Sequence, residues 1–454
     1  MSLWYNKIFQ PLSLMRTATL LREDGHNVEI IDANALKKQP RSQYWSELDA
    51  EAVIVTTSSL DKWQCPFLNL DAVKDILVQL NPNIFVILNG AHGTTSTEYV
   101  FTELNPNLIV RGEPEFTNRE IIRKLSAKEN YFSLAGISYK ASGKIIDNPI
   151  PPPIDVDQLP LPAYDLIEMP RYNYELMGNR FIIMETSRGC PFRCKFCLLN
   201  MYRKKYSARN IESVLDEVEM LQKRYGIRNI FFYDLEFVLP KKRERAIDFC
   251  KAILKRKLKF KWAIQTRVDS VNNEVLFWMR KAGCVLIHYG VESGNPDILK
   301  TTQKGIRIDQ IQRAFKETRK NGIRSLDYFL FGHPTEKRED ILRTIQFAKE
   351  LNPNYASFVI AMPYPGTEYY DKVDKKRQQF PLTASLHLSP KELESLRKRA
   401  IREYYLRPSY FVSQLSRFRS WEEIKILFKG VQKVFLPLIT NSSSKTENKV
   451  PVKN

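Results

Sequence analysis

Long apolar runs, cysteine and histidine are all scarce in this chain of 454 residues. No stretch of about 18 consecutive apolar residues occurs, so no transmembrane helix is expected. The opening "MSLWYNKIFQ" lacks the charged-then-apolar layout of a secretory signal. Six cysteines, three of them in one short stretch, argue against a disulfide framework and for a reducing compartment. The expected location is therefore the cytoplasm. Five histidines, with none between His92 and His288, leave few imidazoles to serve a metal. No RNA-binding module signature is visible, and no specific nucleic-acid partner is expected.

What is present suits a globular α/β protein. At 43% hydrophobic and 27% charged, the chain is long enough for two or three domains, each with its own core. Its net charge of +19 is uneven. From Asp371 to the end, 18 Lys and Arg stand against 8 Asp and Glu. Such asymmetry suits an anionic partner such as a membrane surface, or simply a lysine-rich solvated face.

Residues 11–125 alternate helical and strand patterns. "PLSLMRTATLLREDG" has helical apolar spacing and ends at Gly25, a natural C-cap. "NVEIIDA", "AVIVTTSS", "IFVILNG" and "LIVRGE" read as strands, with "LDAVKDILVQLN" and "EYVFTELN" as helices between them. Alternation of this kind implies a doubly wound parallel sheet, here a truncated flavodoxin-like one over 1–147. Ligands of such sheets sit beyond the strand C-termini, at "TTSS", "NGAHGTT" and "RGEPE". A proline-rich linker over 148–170 follows. Six further strand candidates, from "FIIMETS" to "YASFVIAMP", then alternate with helices. They predict a partial (β/α)6 barrel over 171–370 with its chemistry at the strand C-termini. A C-terminal helical region over 371–440 and a disordered tail over 441–454 complete the expected organisation.

The cysteine cluster "TSRGCPFRCKFC" follows the first barrel strand. Cys190, Cys194 and Cys197 are one ligand short of a closed zinc site, and the next cysteine, Cys250, lies in a helical stretch. Buried structural cysteines are poorly served by a Gly/Pro loop carrying Arg193 and Lys195. Iron–sulfur clusters are held by thiolates, and three ligands leave one iron open.

C-x-x-x-C-x-φ-C, with Phe196 as the aromatic, resembles the signature of radical S-adenosylmethionine (SAM) enzymes. "VESGNPDILKTTQKG", "YFLFGHPTE" and "PNYASFVIAMPYPGTEYY" resemble landmarks of the branch with an N-terminal cobalamin-binding-type domain, and "VILNGAHGT" and "IVRGEPE" resemble that domain's later loops. The resemblance implies a 4Fe-4S cluster on Cys190, Cys194 and Cys197, whose fourth iron chelates SAM. Reductive cleavage would then give methionine and a 5′-deoxyadenosyl radical. It also implies an electron donor such as ferredoxin or flavodoxin, and polar contacts to SAM from Glu292 and Ser293. Gly332 looks like a backbone approach to the adenine. Gln265 and Arg267 alternate onto one strand face, so both could face the lumen, where the arginine would suit a cofactor carboxylate. Asp234 and Glu236 could contact ribose or substrate, or be plain loop carboxylates. His333 stands where the family commonly has an apolar residue, and a surface loop is its expected place.

The N-terminal domain departs from the family pattern. D-x-H-x-x-G, which supplies a histidine to cobalt in many relatives, is absent, and His26 and His92 are the domain's histidines. Cobalamin binding without a histidine ligand is compatible with the branch, through Thr57, Ser58, Gly90, His92 and Thr94. Near the C-terminus, Ser389, Pro390 and Glu392 form a capping box. "WEEIKILFKGVQKVF" forms a basic amphipathic helix that could lie on an anionic membrane or pack on the barrel. The resulting expectation is cobalamin-dependent methylation of an unactivated carbon. The alternatives are a cobalamin-free radical enzyme, making a ring, a C–C bond or an oxidation, and a non-catalytic basic RNA-binding protein. Peptide, isoprenoid lipid and small metabolite all stay open as substrates.

Overall fold

The computed structural model describes residues 7–58, 69–198, 205–373 and 382–415. The expected helix over 421–435 and the tail over 441–454 lie outside them. A short strand β1 (Lys7–Ile8) leads into helix α1 (Leu12–Glu23), which ends as expected, with Gly25 at φ +88°. β2 (Ala52–Thr56), α2 (Asp71–Leu77), β3 (Phe85–Asn89), α3 (Ala91–Thr95), α4 (Thr97–Leu104), β4 (Leu108–Val110) and α5 (Glu115–Ser126) supply the predicted alternation. β2, β3 and β4 pair in parallel. β5 (Ile137–Ala141) and β6 (Lys144–Asp147) then add an antiparallel hairpin to the sheet edge. Ser142 (φ 49°) and Gly143 (φ 74°) form its turn, the left-handed pair that a two-residue hairpin requires.

The strand expected at 27–33 does not form. Its apolar residues are used sideways instead. Ile30 packs toward the core of the barrel, and Ile31 and Ala33 pack around Trp45 and Ile84.

After β7 (Asn173–Tyr174), a second sheet holds β8 (Phe181–Met184), β11 (Asn229–Phe232), β12 (Lys261–Thr266), β13 (Cys284–Glu292), β14 (Arg324–Phe331) and β15 (Tyr355–Ile360). All six run parallel in sequential order, the arrangement expected of a partial barrel. A small β9 (Ser187–Arg188)–β10 (Ser207–Ala208) pair sits beside β8. Helices α6 (Ile211–Tyr225), α7 (Arg243–Lys255), α8 (Asn273–Lys281), α9 (Pro296–Thr301), α10 (Ile308–Lys320) and α11 (Arg338–Leu351) cover the outside. Strand alternation divides the faces. Phe232, Trp262, Tyr289 and Phe358 point at helices, where they meet Phe249, Phe315 and Tyr404. Phe231, Gln265, His288 and Tyr328 point inward.

The two sheets are joined tightly. Phe9, Leu12 and Met15 belong to the barrel core, while α1 also packs on α5. The Gln10 amide clamps β8 by donating to the Phe181 carbonyl and accepting from the Ile183 N–H, both at 3.0 Å. The proline-rich linker is pinned as well, with the Val156 N–H on Ser207 Oγ and the buried Tyr164 hydroxyl on Glu217. At the far end, α12 (Glu368–Asp371) precedes α13 (Pro390–Tyr405) and α14 (Pro408–Leu415). The capping box forms at the start of α13 as predicted, the Ser389 hydroxyl accepting from the Glu392 N–H.

Candidate active site

The cysteine loop leaves β8 at the C-terminal end of the barrel. Gly189 (φ +87°) makes the turn into it, and a Cβ there would lie 2.1 Å from the Lys205 carbonyl oxygen, so no other residue fits. Cys190, Cys194 and Cys197 are half-buried and none is in a disulfide. The Lys195 N–H donates to the Thr302 carbonyl at 3.0 Å, tying the loop to the end of α9. Burial, with Glu236 adding to it, pushes the Cys190 thiol up to about 12. Burial also raises Cys194, but Lys304 and Arg267 oppose it. Among the described residues, no three His, Cys, Asp or Glu side chains converge as ligands of one metal ion do. A multi-iron cluster spreads its ligands over separate irons and needs no such convergence.

The strand ends around this loop carry the expected residues in unequal roles. Asp234 is fully buried, accepting from the N–H and hydroxyl of both Thr186 and Ser187. Both oxygens therefore hold the approach to the cysteines rather than facing a ligand. Desolvation pushes it up to about 6 against those donors. Glu236 accepts from Thr266 Oγ1, the Arg267 N–H and Ser270 Oγ, and burial pushes it up to about 7. Arg267 lies 3.8 Å over the Phe192 ring and is gripped by Asp269 through two 2.8 Å bonds. Gln265, two residues earlier, faces the lumen with Nε2 buried and without a hydrogen-bond partner.

Glu292 takes φ +66° at the end of β13 and pairs with Lys304 at 2.5 Å. Lys304 carried no sequence signal beyond lying in "KTTQKG". Ser293 shares a 3.1 Å hydrogen bond with Thr344. Gly332 (φ +86°) donates to Glu336 at 2.6 Å, and a Cβ on it would press on Leu393 of α13 at 2.9 Å. His333 corrects the surface-loop expectation. It is fully buried, with Nδ1 2.7 Å from the Tyr369 hydroxyl and its ring against Phe196. Phe196, His333 and Tyr369 thus form one aromatic wall beside the cysteines.

On the N-terminal sheet, Thr57 Oγ1 donates to the Asn89 carbonyl at 3.0 Å, and Ser58 Oγ accepts from the Ala91 N–H at 2.8 Å. Gly90 (φ +108°) lets these loops touch, since a Cβ would come within 2.8 Å of Thr57 Oγ1. Thr94 bridges the Gly90 carbonyl and the Gly112 N–H. His92 is buried. Asn89 was not singled out in the sequence, yet it sits at the C-terminal end of β3 at 1% exposure with neither amide atom hydrogen-bonded. Ala91, beside it, packs against Leu198 and Tyr364, so this loop abuts the one carrying the cysteines.

"RGEPE" does not face outward as a ligand loop. Glu113 and Glu115 accept from the buried Arg188, which also binds Glu185. Arg16 of α1 completes the junction by pairing with Glu185.

Comparison with known proteins agrees with this site. A Radical SAM superfamily model matches residues 184–348. An uncharacterized methyltransferase of Pyrococcus horikoshii is 33% identical over 441 residues, 94% of each chain. The chain belongs to the radical SAM superfamily. An anaerobic magnesium-protoporphyrin IX monomethyl ester cyclase of Rubrivivax gelatinosus is 31% identical over 315 residues, 67% of this chain and 56% of that protein. In fold, the chain resembles the radical SAM methyltransferase TsrM of Kitasatospora setae, solved with cobalamin and a [4Fe-4S] cluster. There the TM-score is 0.67 at 19% identity, covering 80% of this chain and 75% of that one. The likeness spans both sheets, so the superfamily's barrel is joined here to a second α/β unit. Among the described residues no helix is long and apolar enough to cross a membrane.

Proposed function

We propose that this radical SAM protein is a cobalamin-dependent methyltransferase acting on an unactivated carbon. Cys190, Cys194 and Cys197 would hold the 4Fe-4S cluster, with SAM beside it and cobalamin between the N-terminal sheet and the barrel mouth. Three thiols on one loop, outside any disulfide and next to two cations, fit the cluster. The unsatisfied Asn89 amide at the end of β3 fits a polar ligand where α/β sheets take theirs. When bound, the cluster supplies one-electron reduction of SAM, and cobalamin supplies methyl transfer.

The chain's residues do the rest. Arg267 and Lys304 favour the thiolate of Cys194 and balance Glu236 and Glu292. Phe196, His333 and Tyr369 exclude water on one side, and Ala91, Leu198 and Tyr364 on the other. That last contact carries the reading, because it brings the Asn89–Gly90 turn to the cysteine loop. A ferredoxin or flavodoxin would supply electrons, in the cytoplasm.

The second reading is a cobalamin-free radical enzyme that closes a ring, the ring closure being suggested by the cyclase relative. Anaerobic reconstitution with and without cobalamin separates the two. About four irons per chain and near-stoichiometric cobalamin support methyl transfer. SAM cleavage with no cobalamin uptake selects the second reading. Persistence of 5′-deoxyadenosine formation after Cys190, Cys194 and Cys197 are all changed to Ala overturns both.

A further inference from the structure

The inner face of the barrel is not filled. Gln265, Gly290, Tyr328 and Leu330 lie on interior strands with neighbours on both sides, yet all are only half-buried. Their helix-side neighbours Ile264, Tyr289 and Phe329 are completely covered. Partial exposure confined to one face of central strands marks an open space inside the barrel. Its rim is the Glu292–Lys304 pair, which lies over Gly290, where a Cβ would meet Lys304 Nζ at 2.3 Å. Its floor is aromatic: the Phe231 ring is 4.8 Å from that of His288, and Tyr174 stacks on Phe231.

The polar groups at this level are neutral. His288 lies between two tyrosine hydroxyls, Tyr174 at 3.0 Å from Nε2 and Tyr328 at 3.4 Å from Nδ1. Burial, with Lys7 adding to it, pushes His288 down to about 3. Lys7, the cation facing it from β1, has its ammonium over the Phe9 ring on the floor side. Two further groups lack partners: Gln265 Nε2, in register with His288, and Ser357 Oγ, in register with Tyr328 and 1% exposed. Buried donors left unmet are costly, so they point to a bound group that accepts from them. An ionised group here would lose its hydration without a counter-ion, which is far more costly.

We propose that this lumen chamber binds the reacting part of the substrate, and that this part is an uncharged ring system bearing a hydrogen-bond acceptor for Gln265 and Ser357. The inference rests on the radical-enzyme reading and narrows its substrate class. Charged portions of the same molecule stay at the rim, with Lys304, Glu292 and Arg267.

The test is fluorine NMR on the anaerobic, cluster-loaded full chain, using 4-fluorophenol, fluorobenzene and 4-fluorobenzoate as probes at neutral pH. Saturable binding of 4-fluorophenol, about tenfold or more tighter than 4-fluorobenzoate, is expected from the cost of burying a carboxylate. Gln265→Leu and Ser357→Ala should each weaken 4-fluorophenol about threefold or more, the size of one hydrogen bond, while leaving fluorobenzene unchanged. Iron content and circular dichroism matching wild type show that these variants are folded. Preference for 4-fluorobenzoate, absence of saturable binding by any probe, or indifference to both folded variants overturns the inference. The readout needs neither turnover nor cobalamin, so failure of methyl transfer alone leaves it standing. Loss of SAM cleavage in wild type would instead strike the reading on which it rests.

Discussion

Arg188 donates to Glu115 across the junction of the two sheets, Nη2 to Oε1 at 2.5 Å, with both side chains out of solvent. Arg188 is two residues before Cys190, and Glu115 opens α5 of the N-terminal sheet, so one buried ion pair couples the two halves. Glu113 and Glu185 take its other donors. Removing one partner strands the rest in a low dielectric, at about 3–5 kcal/mol. Arg188→Met should therefore lower the free energy of denaturant unfolding by that amount. Glu115→Gln, which keeps an acceptor, should lose less. Equal stability of Arg188→Met and wild type would show that the junction is not needed to hold the sheets together.

Gly189→Ala offers a more local perturbation. The added methyl meets backbone, not a flexible side chain, at Lys205. The loop must shift, and with it Cys190. The expected outcome is iron loading reduced by more than half, with far-ultraviolet circular dichroism unchanged. Full iron content in that variant would mean that the cysteines do not depend on this turn.

Much of the second sheet was legible because its strands are continuous apolar runs, as in "FIIM" and "YFLF", bounded by helical periodicity. The cysteine loop was legible from spacing alone. The 27–33 segment misled because Ile30, Ile31 and Ala33 satisfy a strand pattern, yet they are taken up by side-chain packing with no strand pairing among the described residues. The β5–β6 hairpin had a signal, Ser142-Gly143 between alternating residues, that helix–strand alternation obscured. Arg188, Glu113 and Glu115 were not legible as partners, since charges 73 and 75 positions apart in sequence meet only through the tertiary fold. Asn89 was hidden for the opposite reason: its significance is the lack of a partner, which a sequence cannot show.

Glu336 makes a prediction about pH. It is buried, accepts from the Gly332 and His333 N–H groups through Oε2, and leaves Oε1 without a hydrogen bond. Desolvation pushes it up to about 8 from an ordinary value of 4.5. The folded state thus holds a proton that the unfolded state releases at lower pH, so stability falls as pH rises between those two values. Glu336→Gln keeps the acceptor and removes the titration. Thermal unfolding should show wild type losing ground to this variant from pH 5 to 9. Parallel pH profiles for the two proteins would show that Glu336 is ionised in the fold throughout.

Asn89 decides whether the N-terminal sheet holds a ligand. Its amide lies at the end of β3, against the Gly90 turn, with both polar atoms buried and unmatched. A donor and an acceptor left in this state are costly unless something binds them. If cobalamin is that partner, Asn89→Leu should weaken its uptake about tenfold or more, for two hydrogen bonds lost. Without cobalamin, the same change should leave stability unaltered or raise it, because an apolar side chain replaces unsatisfied polar atoms of similar volume. His92→Ala should leave the spectrum of the bound cobalt unchanged, since no protein imidazole is expected on the metal. Equilibrium dialysis and visible spectroscopy on wild type and both variants give these outcomes. Cobalamin bound equally by wild type and Asn89→Leu would place its site elsewhere, and a spectrum altered in His92→Ala would make that histidine a ligand after all.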